Sequence, residues 1–315
     1  MNKLTQFLHI DYPIIQGGMG NISNAILTSS ISNAGGLGTI GVGTMTPEEV
    51  ERIVIETKEH TSKPIAVNIP ISVTKFPEEM AELVIKYNVP IVSLSAGNPS
   101  PYIPVFKQKG IKIICVVATK KQAIKAEEAG ADILVAEGYE AAGINSTLET
   151  TTLTLIPQIV SSVKIPVVAA GGIGDGRGLA SILALGGSGV QMGTRFIATK
   201  EAPFHPNYKE ALLKASDIDT VIVGRTVGKI RRLMNTSYAK SLLEYEKTGI
   251  SEEEFTKLTS EEYHKIGALE GRLEEGFINS GQIAGLLDDL PSVEELIKRM
   301  IREAKDRINE IQHLL

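Results

Sequence analysis

A single cysteine, Cys115, is all the thiol chemistry this chain of 315 residues has to offer. That excludes an internal disulfide, an iron–sulfur cluster and a thiolate zinc site, and no metal is expected. Cys115 lies in the apolar run 113–117, where a small buried hydrophobe is expected and not a nucleophile. No stretch reaches the roughly 18 to 20 uninterrupted apolar residues of a membrane span. The start of the chain, residues 1–6, is polar and has no signal-peptide core, so a cytoplasmic protein is expected. A net charge of −5 gives no ground for nucleic acid or an anionic membrane as partner. Also missing is the dinucleotide fingerprint, a G-x-G-x-x-G after the first strand with an acid about 20 residues on. No internal repeat stands out.

Glycine is what the chain does have, placed where apolar runs end. Residues 166–176 (Pro-Val-Val-Ala-Ala-Gly-Gly-Ile-Gly-Asp-Gly) and 189–196 (Gly-Val-Gln-Met-Gly-Thr-Arg-Phe) each read as a strand stopping at glycines. Residues 177–186 between them read as a short helix. Strand, glycine turn, helix, strand, glycine turn is how the last two units of a (β/α)8 barrel bind a phosphate. Without a Cβ the backbone turns tightly and brings its N–H groups up to an anion. The helix start is expected to add unpaired N–H groups and a partial positive charge. A phosphate-bearing cofactor follows.

Apolar runs recur at 13–15, 37–40, 65–69, 91–94, 111–117, 132–136, 167–170 and 189–192. Helical stretches such as Pro47–His60, 77–87, Lys120–Ala129 and 153–163 separate them. Strands alternating with helices imply a parallel sheet, and the near-continuous apolar runs suit strands covered on both faces. A count of eight with late phosphate turns favours the closed barrel over an open sheet. The expected fold is α/β, a (β/α)8 TIM barrel with a helical appendage after strand 8. Residues 1–197 and 291–315 should form the barrel, the amphipathic segment 292–315 being its last helix. Residues 198–290, charged and without strand-like runs, should form a helical appendage at the barrel mouth.

In such a barrel the chemistry sits at the carboxyl ends of the strands. Those ends carry amides (Gln16, Asn68, Asn98, Gln191) and glycines, with few charges. Amides both donate and accept, and glycines leave room for a ring face, so the lining suits a flat heteroaromatic such as isoalloxazine.

These residues match a family. The chain resembles the FMN-dependent 2-nitropropane dioxygenases, also called nitronate monooxygenases, a family that includes the flavin-dependent bacterial enoyl-acyl-carrier-protein reductases. The resemblance rests on Asp11-Tyr-Pro-Ile-Ile-Gln-Gly-Gly-Met19, Asn33-Ala-Gly-Gly-Leu-Gly38, Val67-Asn-Ile69, Ala96-Gly-Asn-Pro99, Ala136-Glu-Gly138, Ala169-Ala-Gly-Gly-Ile173, Gln191-Met-Gly-Thr-Arg-Phe196 and Ser280-Gly-Gln-Ile-Ala-Gly285. It implies FMN as cofactor and Gln16, Gly17, Gly18, Met19, Asn68, Glu137, Gly171, Gly172, Gln191, Gly193 and Thr194 as its contacts. Compact length and the segments His205-Pro-Asn-Tyr-Lys209 and Gly281-Gln-Ile-Ala-Gly285 look closest to the enoyl reductase branch.

One departure stands beside the match. The family's sixth strand usually ends Glu-Ala-Gly-Gly-His, with the histidine over the flavin; here Glu140-Ala-Ala-Gly-Ile-Asn145 puts Ile144 in that place. Asn145 is polar but exchanges no proton near neutral pH. His9 and His60 precede strands, His313 is near the end of the chain, and His264 is expected on an exposed helical face. His205, just past the eighth strand, could approach the mouth, and Tyr139 could donate. Tyr139, His205 and Asn145 are therefore weak catalytic candidates. A nitronate is already an anion and needs no base, whereas enone reduction leaves an enolate that wants an acid. The expected function is an FMN-dependent oxidoreductase acting on small nitronate-type anions. An NAD(P)H-dependent enoyl-acyl-carrier-protein reductase, an NAD(P)H:quinone or acceptor reductase and a catalytically silent flavin-binding protein stay open, as do NAD(P)H as reductant and a homodimer.

Overall fold

The computed structural model describes residues 2–314, so Met1 and Leu315, the ends of the expected barrel ranges, lie outside it. The first half comprises α1 (Lys3–Leu8), β1 (Ile14–Gln16), α2 (Ala25–Asn33), β2 (Gly38–Gly41), α3 (Pro47–His60), β3 (Ile65–Pro70), α4 (Pro77–Lys86) and β4 (Ile91–Ser95). It continues with α5 (Ile103–Gln108), β5 (Lys112–Val117), α6 (Lys120–Ala129), β6 (Ile133–Glu137), β7 (Gly143–Ile144) and α7 (Thr152–Val160). Then come β8 (Val167–Ala170), α8 (Gly176–Ala184), β9 (Gly189–Met192), α9 (Thr194–Ile197) and α10 (Pro206–Leu213). The chain ends with β10 (Thr220–Val223), β11 (Arg231–Met234), α11 (Ser237–Thr248), α12 (Glu252–Leu258), α13 (Glu261–Ala268) and α14 (Val293–Gln312).

Eight strands lie side by side in the order β1-β9-β8-β6-β5-β4-β3-β2, every pair parallel. A parallel bridge between Ile15 and Leu37 joins the two ends and closes the barrel. Strand alternation divides the core into two layers. Ile15, Leu37, Ala66, Ile91, Ile114, Ile133, Val135 and Val168 fill the interior together with Leu4 and Leu8 of α1. Their neighbours Ile113, Cys115, Leu134, Val167 and Val190 face the surrounding helices. Cys115 is the buried hydrophobe expected, its thiol pushed up to about 12 by burial.

Local sequence accounts for the helix starts. Thr46 and Glu49 form a capping box before Pro47, and Ser292 and Glu295 form another at the start of α14. Helix α14 packs on α8 and α2, and Glu303 accepts a hydrogen bond from the Gly176 N–H at 3.0 Å.

The expectation of no strand between 198 and 290 is corrected. Strands β10 and β11 pair antiparallel there, and β11 pairs in turn with β7 from the loop after β6. Each strand is short, and Arg231 and Arg232 interrupt the apolar pattern of β11, so no local periodicity marks it. A separate small core of Val223, Leu233, Leu242, Phe255 and Phe277 packs this sheet against α11 and α12. No helix among the described residues is long and apolar enough to cross a membrane.

Candidate functional site

The carboxyl ends of the barrel strands open into a cavity of about 1190 Å³. That exceeds the roughly 300–1,000 Å³ of a usual small-molecule pocket, leaving space for a cofactor and a substrate together. Of the residues expected to hold a cofactor, Gly17, Gly18, Met19, Asn68, Glu137, Gly171, Gly172, Gln191, Gly193 and Thr194 line it. Gln16 is not among the lining residues. It is fully buried, with Oε1 accepting from the Thr39 N–H at 3.0 Å and Nε2 without a partner.

Glycine is required at this mouth for two separate reasons. Gly171 and Gly172 have φ of +98° and +74°, the left-handed region that side chains disfavour. Gly18 packs on the Asn68 amide so closely that a Cβ would come within 2.4 Å of its Oδ1. Asn68 is held in turn by its Nδ2, which donates to the Ser95 and Ser93 hydroxyls at 3.1 and 3.2 Å. The N–H groups of Gly171, Gly172 and Gly193 have no hydrogen-bond partner among the described residues, and the space beside the Gly193 Cα is open. Unpaired N–H groups at successive glycine turns make an anion-binding concavity.

The helix after the first turn does not contribute as expected. Asp175 caps the Gly178 N–H at 3.0 Å, and Glu303 takes the Gly176 N–H. Two carboxylates thus close the first turn of α8, and the glycine turns remain as the anion donors.

Glu137 shares the inward face of β6 with Ile133 and Val135, which directs it to the floor of the cavity. It has no hydrogen-bond partner among the described residues, and burial pushes its carboxyl up to about 7. Ile144 lies on the cavity wall, half-exposed, on the short strand β7.

Two of the weak catalytic candidates stand outside this wall. Tyr139 accepts a hydrogen bond from Arg225 and carries the Arg232 guanidinium over its ring at 4.6 Å. His205 caps α10, its Nδ1 accepting from the Asn207 N–H at 3.1 Å. Asn145 does line the cavity, but its Nδ2 is spent on the Ala141 and Gly143 carbonyls at 2.8 and 3.3 Å.

The histidine expected on an exposed face is the one the fold buries. His264 is 2% exposed and lines the cavity from α13. Its Nδ1 is 3.2 Å from the Glu261 carboxylate and its Nε2 is 3.2 Å from Asn279 Nδ2. The ring stacks on Phe277 at 5.1 Å. Burial alone would raise the Glu261 pKa, but His264 and Arg231 hold it below the ordinary carboxylate range. Asn279 Oδ1 is buried without a partner. Arg231, in register with Ile144 on β11, completes this wall. Sequence reasoning missed Glu261, His264, Asn279 and Arg231. One signal was available: His264 shares a helix face with the small residues Gly267 and Ala268, and all three are buried.

The model of the family described as nitronate monooxygenase matches residues 1–82 and 72–303. A probable nitronate monooxygenase of Staphylococcus haemolyticus is 34% identical, over 99% of both chains. A (3aS,4S,5R,7aS)-5-hydroxy-7a-methyl-1-oxo-octahydro-1H-indene-4-carboxyl-CoA dehydrogenase of Rhodococcus jostii is 32% identical, covering 98% of this chain and 97% of that one. Among solved structures, FabK from Thermotoga maritima superposes with a TM-score of 0.96 at 38% identity, covering 100% of this chain and 99% of that one.

Proposed function

The chain belongs to the nitronate monooxygenase family of flavin-dependent oxidoreductases, and we propose that it holds FMN at the barrel mouth and oxidises a small nitronate anion. The observation that carries this reading is the set of unpaired N–H groups at Gly171, Gly172 and Gly193, a cradle for one phosphate. Gly17, Gly18 and Met19 would border the ring, with Asn68 and Gln191 offering amides to its polar edge and Thr194 beside the phosphate. Gln16, set behind the wall, would act by holding the backbone of β2 through Thr39. Glu137, part-protonated near neutral pH, would donate to the cofactor from the floor. FMN, when bound there, would supply the electron acceptor. The chain's own task is then binding and exclusion of water. A nitronate arrives deprotonated, so the apolar Ile144 can stand where a proton-transfer group would otherwise be needed. Residues 198–290 would act as a cap over this mouth, in the cytoplasm.

A second reading, enoyl-thioester reduction by NAD(P)H, is favoured by His264. An imidazole on the cavity wall, with Nδ1 on the Glu261 carboxylate, could return the proton that an enolate needs once Asn279 releases its Nε2, so the missing histidine at Ile144 need not leave the site without an acid. The 38% identity to FabK, an enoyl-acyl-carrier-protein reductase, points the same way.

The test is the visible spectrum of the purified protein, followed by anaerobic reduction with propyl-2-nitronate, NADH and NADPH in parallel. Rapid bleaching by the nitronate supports the first reading. Bleaching by NADH or NADPH with turnover of an enoyl thioester supports the second, and without such turnover it indicates an acceptor reductase. A bound flavin that no donor reduces marks a silent flavoprotein. FAD in place of FMN, or no flavin after FMN is supplied, refutes the cofactor assignment.

A further inference from the structure

The β10–β11 hairpin carries three arginines near the mouth, and their partners differ. Arg225 is paired with the Glu149 carboxylate at 3.0 Å. Arg232 donates to the Tyr139 carbonyl at 3.0 and 3.1 Å and to the Thr220 hydroxyl at 3.1 Å. Arg231, whose neighbours Arg225 and Arg232 both lie against Tyr139, faces the cavity, and its side chain makes no hydrogen bond and no ion pair among the described residues. Its guanidinium lies over the Phe277 ring at 5.2 Å, which backs one face of the plane and leaves the N–H edge free. Glu261, the carboxylate whose charge acts on Arg231, lies beyond ion-pair distance of it and is hydrogen-bonded to His264. A guanidinium enclosed by protein with its donors unpaired is costly unless something in the cavity accepts them.

We propose that Arg231 is the anion receptor of this site: it binds, through its fork, a substrate carrying two oxygens on one planar atom, as in a nitronate or a carboxylate. This rests on the cavity being the active site of the family reading. The fork geometry matches two oxygens on one atom and holds them side by side, which a lysine point charge does not. Ile144 sits opposite Arg231 in the strand register, so the same wall offers an apolar surface to the substituent that bears the anionic group. Selectivity for small anions therefore comes from the appended segment, while the barrel supplies the cofactor cradle.

Propionate, the carboxylate isostere of a small nitronate, is the probe, with neutral propionamide as control. Binding to the protein as purified is followed by calorimetry and, where flavin is present, by perturbation of its visible spectrum. The native protein should bind propionate and not propionamide. Arg231→Gln should weaken propionate binding by at least tenfold with flavin content and circular dichroism unchanged, and Arg231→Lys should recover part of it. Undiminished propionate binding by Arg231→Gln overturns the proposal. So does loss of flavin from that variant with propionate binding intact, which would assign the guanidinium to the cofactor phosphate. Because calorimetry needs no bound flavin, a protein without flavin would refute the cofactor reading and leave the Arg231 measurement decisive.

Discussion

Glu137→Gln should uncouple the stability of this barrel from pH. The native carboxyl is pushed up to about 7 from an ordinary value of 4.5 by burial. Below the ordinary value the group is protonated in both the folded and the unfolded chain and costs nothing. As pH rises past it, the unfolded chain gives up its proton while the folded one holds on, so stability falls until pH passes about 7. The displacement corresponds to about 3 kcal/mol of differential stability at most. Glutamine keeps the shape and cannot ionise, so the variant lacks this loss. Glu261, held below its ordinary value, works in the opposite sense at the acid end, but it is common to both proteins and cancels in their difference. The assay is equilibrium urea unfolding of flavin-free native protein and variant from about pH 5 to about pH 8. The variant should gain on the native protein by about 2–3 kcal/mol across that range. Parallel pH curves would refute the argument that this carboxyl is desolvated on the cavity floor. Flavin affinity of the native protein should also weaken as pH rises through about 7, and that of Glu137→Gln should not.

Gly172→Val places a branched side chain at a φ of +74° and should abolish flavin binding while circular dichroism keeps the barrel signature; Gly193→Val should do the same by filling the open space beside its Cα. Full flavin occupancy in both variants would reduce these glycines to turn formers. His264→Gln should lower enoyl-thioester reduction by about 10²–10⁴-fold and leave nitronate oxidation unchanged, measured as kcat for each substrate. Equal losses on both substrates would make the imidazole a structural element of the wall. Ile144→His should raise any enoyl-thioester activity by only part of that factor, since the side chain at this position of the two-residue strand β7 is half-exposed and little holds a new ring in one orientation. A rise to the full factor would show that β7 already positions an imidazole.

The barrel was legible because its rules are local. Strands covered on both faces leave continuous apolar runs, of which 65–69 and 111–117 are plain examples, and the glycines at 171 and 172 mark a turn whose backbone geometry few other residues tolerate. The capping box at Ser292 and the amphipathic run after it likewise announce α14 from neighbouring residues alone. The family match extended that reading to the ten cofactor candidates that line the cavity. Other features depend on partners far along the chain. Strand β11 exists as a strand because it meets β10 on one side and β7 on the other, and its charged sequence carries no alternation of its own. The first turn of α8 is closed to an anion by Glu303, a residue of the last helix. His264 reads as a solvated helical residue until Phe277 and Asn279 fold against it, and Arg231 reads as one of several surface arginines until its guanidinium is laid over Phe277 at the cavity wall. Periodicity and glycine geometry are properties of a few adjacent residues, so they survive in one dimension. Burial of a titratable side chain is a property of whatever packs over it, and that is assembled only when distant segments meet.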